Sequence, residues 1–180
     1  MADTMSKLKR VAAEYADLET RAHDDHHQAL RLWLRLLTCT TRIETEIRGR
    51  LRTRFDTTLA RFDLMAQLER CPEGLKMIDL SRRLMVTGGN VTGITDQLEK
   101  EGLVNRKSDP EDRRAYSVKL TPTGKKLFAR MAAEHEQWVI ELFDSLNQAE
   151  KEQAGRLFAK LKLGLSAATV ERIGNERKHK

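Results

Sequence analysis

The sequence predicts a mainly α-helical protein in which a helix-turn-helix and a two-stranded β-hairpin lie between long flanking helices. Three observations predict it. Apolar residues recur at three- and four-residue spacing through most of the 180 residues. Two short apolar-patterned segments, joined by "MVT" and closed by Gly102, have the form of two helices and a tight turn. Directly after Gly102 the period drops from near four to two, across "LVNRK" and "AYSVKL", with the charged turn "SDPED" between them.

The elements follow in order. An N-terminal helical arm, 1–27, places Leu8, Val11, Tyr15 and Leu18 on one face and ends in the polar knot "HDDHH", where Asp24 or Asp25 can cap the next helix. Residues 28–58 carry the stripe Leu32, Leu36, Cys39, Ile43, Ile47 and Leu51, while the other faces hold Arg31, Arg35, Arg42, Arg48, Arg50, Arg52 and Arg54. A stripe that long, free of Gly and Pro before Gly49, calls for a partner helix and a second subunit. Residues 59–121 then form one domain. Phe62, Met65, Ala66 and Leu68 give a helix from Leu59 to about Arg70 its packing side, and "CPEG" breaks it. Ile78, Leu80 and Leu84 mark a short helix. Thr87 is placed to cap the next one, whose inward face is Val91, Ile94, Thr95 and Leu98 and whose C-cap is Gly102. Leu103, Tyr116, Val118 and Leu120 give the hairpin its apolar positions, and Pro110 presets its turn. A hairpin projecting from the edge of a helix-turn-helix makes a winged helix-turn-helix. Thr121 and Pro122 open another long helix, with Leu127, Met131, His135, Trp138, Leu142 and Leu146 at heptad-like spacing. A last helix presents Leu157, Leu161, Leu165 and Val170. The pair spans 122–172, and 173–180 is expected to be a frayed polar tail.

Composition narrows the function. A net charge of +6 favours an acidic partner, with nucleic acid ahead of a membrane surface. No apolar run approaches the roughly 18 residues of a membrane span, and the N-terminus has no signal-peptide core, so a cytoplasmic location is expected. Cys39 and Cys71 make neither a disulfide framework nor a metal spacing. No nucleophile–base pairing, phosphate loop or metalloprotease motif is present, so neither an enzyme nor a bound cofactor or metal is expected.

The helix from Thr87 to Lys100 has the chemistry of a DNA reader. Thr87, Gly88, Gly89, Asn90, Thr92 and Thr95 are its candidate contacts. Asn reaches adenine bidentately, and Thr meets a phosphate, a base edge or a thymine methyl. Two glycines weaken a helix start by about 1 kcal/mol each, but they let backbone N–H groups approach a phosphate closely. Beside it, the hairpin loop sets Asp112, Arg113 and Arg114 together. Arginine favours the concentrated negative potential of a narrow minor groove, and Asp112 can hold an Arg fork in a fixed direction.

"SDPEDRRAYSVKLTPTG" resembles the wing of the MarR family of bacterial transcription regulators, whose signature is Asp-x-Arg, a short strand and Leu-Thr-x-x-Gly. Those positions are Asp112, Arg114, Leu120, Thr121 and Gly124 here. "LSRRLMVTGGNVTGITDQLEKEGLV" is similar to the helix-turn-helix of the same family, and the likeness runs from about Gln28 to Ala168. The resemblance implies a winged-helix homodimer whose N- and C-terminal helices interlock and whose two recognition helices meet successive major grooves of a near-palindromic double-stranded operator. It implies Arg114 in the minor groove, braced by Asp112. It also implies a repressor released by a small aromatic carboxylate, a phenolic or a coenzyme A thioester. Candidate ligand contacts are the apolar walls Trp33, Leu37, Phe62 and Met65, with Arg35 and Arg42 as anion partners. The arm before His23 is longer than the family's usual start, and it is expected to extend the dimer interface.

Two rival functions stay in view. A non-specific architectural DNA binder would bind every sequence equally and ignore small molecules. A redox or metal sensor on the same scaffold would use Cys39, or His23, His26 and His27 with Asp24 and Asp25. Cys39 lies on the apolar stripe, which predicts a buried, inert thiol, and adjacent residues in a polar turn seldom converge on one ion.

Overall fold

A single unbroken helix, α1 (Gln28–Phe55), opens the part of the chain that the computed structural model describes, residues 28–108 and 116–178, with side chains described to Ser166. The N-terminal arm with its histidine–aspartate knot, and the wing-tip residues Asp112, Arg113 and Arg114, lie outside the described residues. The 28 residues of α1 span about 42 Å at 1.5 Å each. Of the expected apolar stripe only Ile47 and Leu51, near the C-terminal end, are buried; Leu32 stays 60% exposed. The stripe therefore divides. One end packs within this chain, and the other is left uncovered among the described residues. Cys39 falls on the uncovered part and is exposed, which corrects the expectation of a buried thiol.

Asp56, at a φ of 47°, turns the chain out of α1, with its N–H donating to the Arg52 carbonyl. A short polar side chain tolerates that left-handed conformation. Thr58 then caps α2 (Leu59–Glu69) by accepting from the Arg61 N–H. Phe62, Leu64, Met65 and Leu68 are all buried, so α2 is covered on several sides and forms the centre of the core. The next two helices and the third strand pack around it.

A short strand that the sequence pattern does not predict, β1 (Leu75–Lys76), follows the turn at 71–74. It pairs antiparallel with β3 (Tyr116–Leu120), setting Leu75 opposite Val118, and β3 pairs in turn with β2 (Val104–Ser108). The sheet is thus three-stranded, in the order β1-β3-β2, rather than the expected two-stranded wing. Two residues are too few to show a period of two, so the strand exists only through its partner.

Between β1 and β2 stand α3 (Met77–Leu84) and α4 (Gly88–Lys100). Gly102, at a φ of 70°, closes α4. Its N–H donates to the Glu99 carbonyl and the Leu103 N–H to that of Leu98, the paired bonds of a Schellman cap. Leu103 thereby enters β2 in a fixed direction.

The "LTPTG" segment ties the sheet to the next helix, α5 (Pro122–Leu142). The Thr121 hydroxyl donates to the carbonyls of Gly102 (2.7 Å) and Leu103 (3.2 Å) and accepts from the Gly124 N–H. Gly124 is needed for a different reason: a Cβ there would lie 1.9 Å from the Leu103 carbonyl oxygen. The expected heptad run through Leu146 is cut at Leu142, because Asn147 and Glu150 cap the following helix reciprocally, at 2.8 and 3.0 Å. That helix, α6 (Gln148–Lys178), continues six residues past the expected end at 172, through Gly174 and Asn175 as well as Glu176, Arg177 and Lys178. The chain divides after His135, within α5, into two units. The first contains the sheet, α1 to α4 and the core described above.

Candidate nucleic-acid interface

α4 sorts its residues cleanly by exposure. Val91, Thr95 and Leu98 are fully buried, so spacings of four and three fix which side faces the core. The opposite side exposes Thr87, Gly88, Gly89, Asn90, Thr92, Gly93, Asp96 and Gln97. Five of the six residues expected on α4 therefore share one outward surface at its N-terminal end. Thr95 does not. Its hydroxyl donates to the Val91 carbonyl at 2.8 Å and it is 0% exposed, so the structure places it in the core and off the outward surface. A threonine whose hydroxyl is satisfied by its own helix can be buried almost as a valine can, which its polarity concealed.

Thr87 stands at the N-cap with extended geometry, but its side chain makes no capping bond. Its hydroxyl stands at the exposed end of the helix dipole. Thr92 donates to the Gly88 carbonyl at 3.0 Å and leaves its methyl facing out. Cβ atoms built on Gly88, Gly89 and Gly93 would meet no atom within 4 Å. Packing among the described residues does not call for these glycines. Three of them in 13 residues weaken the helix by about 1 kcal/mol each. Gly93 and Gln97 were missed from the sequence. They lie three and seven residues beyond Asn90, the spacing of one helical stripe, and that repeat was the available signal.

The turn before α4 is unusual. Met85 adopts a φ of 53° and is 92% exposed; the Val86 N–H donates to the Ser81 carbonyl. This left-handed cap sets the angle between α3 and α4.

Beside α4, the antiparallel ladder runs from Val104 opposite Leu120 to Ser108 opposite Tyr116. Ser108 and Tyr116 are the last paired residues, so the segment that joins them, containing Asp112, Arg113 and Arg114, leaves and rejoins the sheet at its far end.

The expected ligand residues are not brought together. Phe62 and Met65 are core, 6% and 1% exposed; Phe62 lies 5.5 Å from the Phe128 ring and 4.8 Å from that of His135. Burial holds the His135 imidazole below its usual titration range. Trp33 and Leu37 are 54% and 45% exposed on α1, as are Arg35 and Arg42. Trp33 lies 22 residues before the end of α1, roughly 33 Å back along the helix from the turn into α2. Arg35 borders an open depression of about 450 Å³ with Gln28, Ala29, Arg31 and Leu32.

Comparison with known proteins decides the family. The sequence profile described as the MarR family matches residues 57–116, from the start of α2 to the start of β3. An uncharacterised HTH-type transcriptional regulator of Bacillus cereus is 30% identical over 131 residues, which is 72% of this chain and 86% of that protein. A MarR family transcriptional regulator from Silicibacter pomeroyi, known as a crystal structure, is 31% identical; the match covers 79% of this chain and 99% of that one, with a TM-score of 0.68. The chain belongs to the MarR family. A mutant of Escherichia coli MarR crystallised with operator DNA shares the fold, at a TM-score of 0.66 and 24% identity over 77% of this chain and 98% of that one. In this MarR-family chain the profile therefore covers α2 through β2 and ends at Tyr116, so it includes α4 and the first strand of the wing. The flanking α1, α5 and α6 lie wholly outside it.

Proposed function

We propose that the protein is a homodimeric transcriptional repressor that reads a near-palindromic operator with α4 and grips the neighbouring minor groove with Arg114. One observation carries the reading: α4 exposes Gly88, Gly89, Asn90, Thr92 and Gly93 on a surface backed by the fully buried Val91, Thr95 and Leu98. A rigid support behind a small-residue, hydrogen-bonding surface suits close approach to base edges. Thr87, Gly88 and Gly89 place free N–H groups and the positive end of the helix dipole against a phosphate. Asn90 meets a base, Arg114 the minor groove, and Asp112 steadies Arg114. Arg113 adds charge.

Dimerisation agrees with the exposed apolar residues of α1, Leu30, Leu32, Trp33 and Leu37, and with those of α6, Leu157, Phe158, Leu161 and Leu165. Two-fold symmetry would set the recognition helices about one DNA turn apart. Repression is relieved by an aromatic carboxylate, a phenolic or an acyl-coenzyme A, acting in the cytoplasm through Trp33, Leu37, Arg35 and Arg42 on α1. Such a ligand shifts occupancy only by its differential affinity for the two dimer geometries, and about 1–3 kcal/mol suffices.

Footprinting on the DNA upstream of the protein's own gene, repeated with benzoate-type acids and their coenzyme A thioesters, tests this. A protected near-palindrome that one ligand class releases supports it. Uniform protection that no ligand changes would instead favour an architectural binder.

A further inference from the structure

We propose that Arg106 is a positioning residue that locks the wing to the recognition helix, and that Asp96 and Glu99 on α4 serve to hold it. The proposal rests on the reading of α4 and the wing as the DNA-facing elements.

Carboxylates on a helix that approaches a polyanion oppose binding, yet α4 carries Asp96 and Glu99 in its second half. They are three residues apart and therefore on one face. Arg106, on β2, meets both. Its guanidinium hydrogen-bonds the Asp96 carboxylate and lies 3.5 Å from Glu99 Oε2, while its backbone N–H donates to Glu99 Oε1 at 3.1 Å. One residue thus makes three links to α4.

Each side of the clamp is anchored. Arg106 is paired with the fully buried Val118 in the ladder, and β2 is an edge strand whose outward N–H groups find no strand partner among the described residues. Glu99 satisfies one of them. On the helix side, Asp96 follows the buried Thr95 and lies one turn beyond Thr92 on the outward surface. Ser108, two residues past Arg106, is the last paired residue before the loop that holds Asp112 and Arg114. The clamp therefore sits between the two DNA-reading parts and makes them one body. A fork shared between two carboxylates is also committed, so Arg106 adds little as a phosphate contact, despite its place in the wing strand. At the far end of α4 the Arg61 guanidinium bonds the Glu101 carboxylate, tying the helix to α2 in the same manner.

The experiment compares wild type with Arg106→Gln, Arg106→Lys, the double variant Asp96→Asn/Glu99→Gln, and Arg114→Ala. Each is titrated onto operator and scrambled duplexes across a salt series, with melting curves and NMR exchange of the Arg106 amide. Arg106→Gln is expected to lower the operator-to-scrambled affinity ratio about tenfold, the scale of one well-placed base contact. Its salt slope should match wild type, whereas Arg114→Ala should lose about 0.9 of slope per protomer contact. Arg106→Lys, keeping the charge but not the fork, should fall between wild type and Arg106→Gln. The double variant removes two negative charges and so should bind scrambled DNA more tightly, yet its ratio should also fall and its Arg106 amide should exchange faster. If Arg106→Gln misfolds, the double variant, which keeps Arg106, decides. A slope loss in Arg106→Gln equal to that of Arg114→Ala, or a double variant with an unchanged ratio, overturns the proposal. If wild type does not discriminate, the DNA reading fails, and amide exchange alone then judges the clamp.

Discussion

Replacing Gly124 by alanine sets two effects of opposite sign against each other. Alanine is the better helix former by about 1 kcal/mol, and position 124 lies in the first turn of α5, so propensity alone predicts stabilisation. Geometry predicts the reverse. The new Cβ would stand 1.9 Å from the Leu103 carbonyl oxygen and 2.9 Å from its carbon. Both are backbone atoms that cannot rotate away. Relief requires the start of α5 to move off β2, which loosens the Thr121 bonds to Gly102 and Leu103 and the Thr121 N–H bond to Leu103, now 3.0 Å. Overpacking costs about 1–3 kcal/mol and a lost cap about 1 more, so the net effect after the propensity gain is destabilisation by about 1–3 kcal/mol. For a chain of this size that lowers Tm by roughly 2–12 °C. Urea and thermal unfolding followed by circular dichroism measure it directly. A Gly124→Ala protein as stable as wild type, or more so, would refute the argument that close approach is why glycine stands there.

Met85→Gly removes a left-handed methionine whose side chain is 92% exposed. Relief of strain outweighs the added entropy of the unfolded chain, so the unfolding free energy should rise by about 0.5–1 kcal/mol; a fall would contradict it. Thr95→Val keeps the buried shape and gives up a bond to a helix carbonyl that is already satisfied, so stability should change by less than about 1 kcal/mol and operator affinity not at all; lost affinity in a folded variant would restore Thr95 as a DNA contact. Burial lowers the His135 pKa, so the unfolded chain binds its proton more readily. The stability linked to this group is complete above about pH 6.5 and declines as pH falls from there towards the folded value. His135→Phe, which keeps a ring against Phe62, should flatten the stability–pH curve in that window, and an unchanged slope would remove His135 as its source.

Much of this architecture was readable in the residues. Leu80, Val91 and Leu98 gave the helix-turn-helix by spacing, Gly102 its exit, and "LTPTG" the helix start, because each feature is local. What stayed hidden depends on pairing at a distance. β1 is two residues long and needs Val118 to be a strand at all. The Arg106 clamp joins residues seven and ten positions apart across a change from helical to strand period, so neither periodicity displays it. The α1 stripe named the right residues without saying where the chain's own core stops covering them, beyond Ile47. The capping pair Asn147 and Glu150 was visible as N-x-x-E, but the heptad spacing of Leu142 and Leu146 read straight through it. Among the proposed ligand contacts, residue type could not separate Phe62 and Met65, which are core, from exposed Trp33 and Leu37.

The most direct test of the account titrates purified protein onto fluorescent duplexes, one from the region upstream of its gene and one scrambled, at several salt concentrations. It predicts two protomers per site on the upstream duplex, affinity at least about a thousandfold above the scrambled one, and a steep fall with salt. Asn90→Ala should erode the preference more than the overall affinity, and Arg114→Ala the salt slope. Equal binding to both duplexes, or none at low ionic strength, would contradict it.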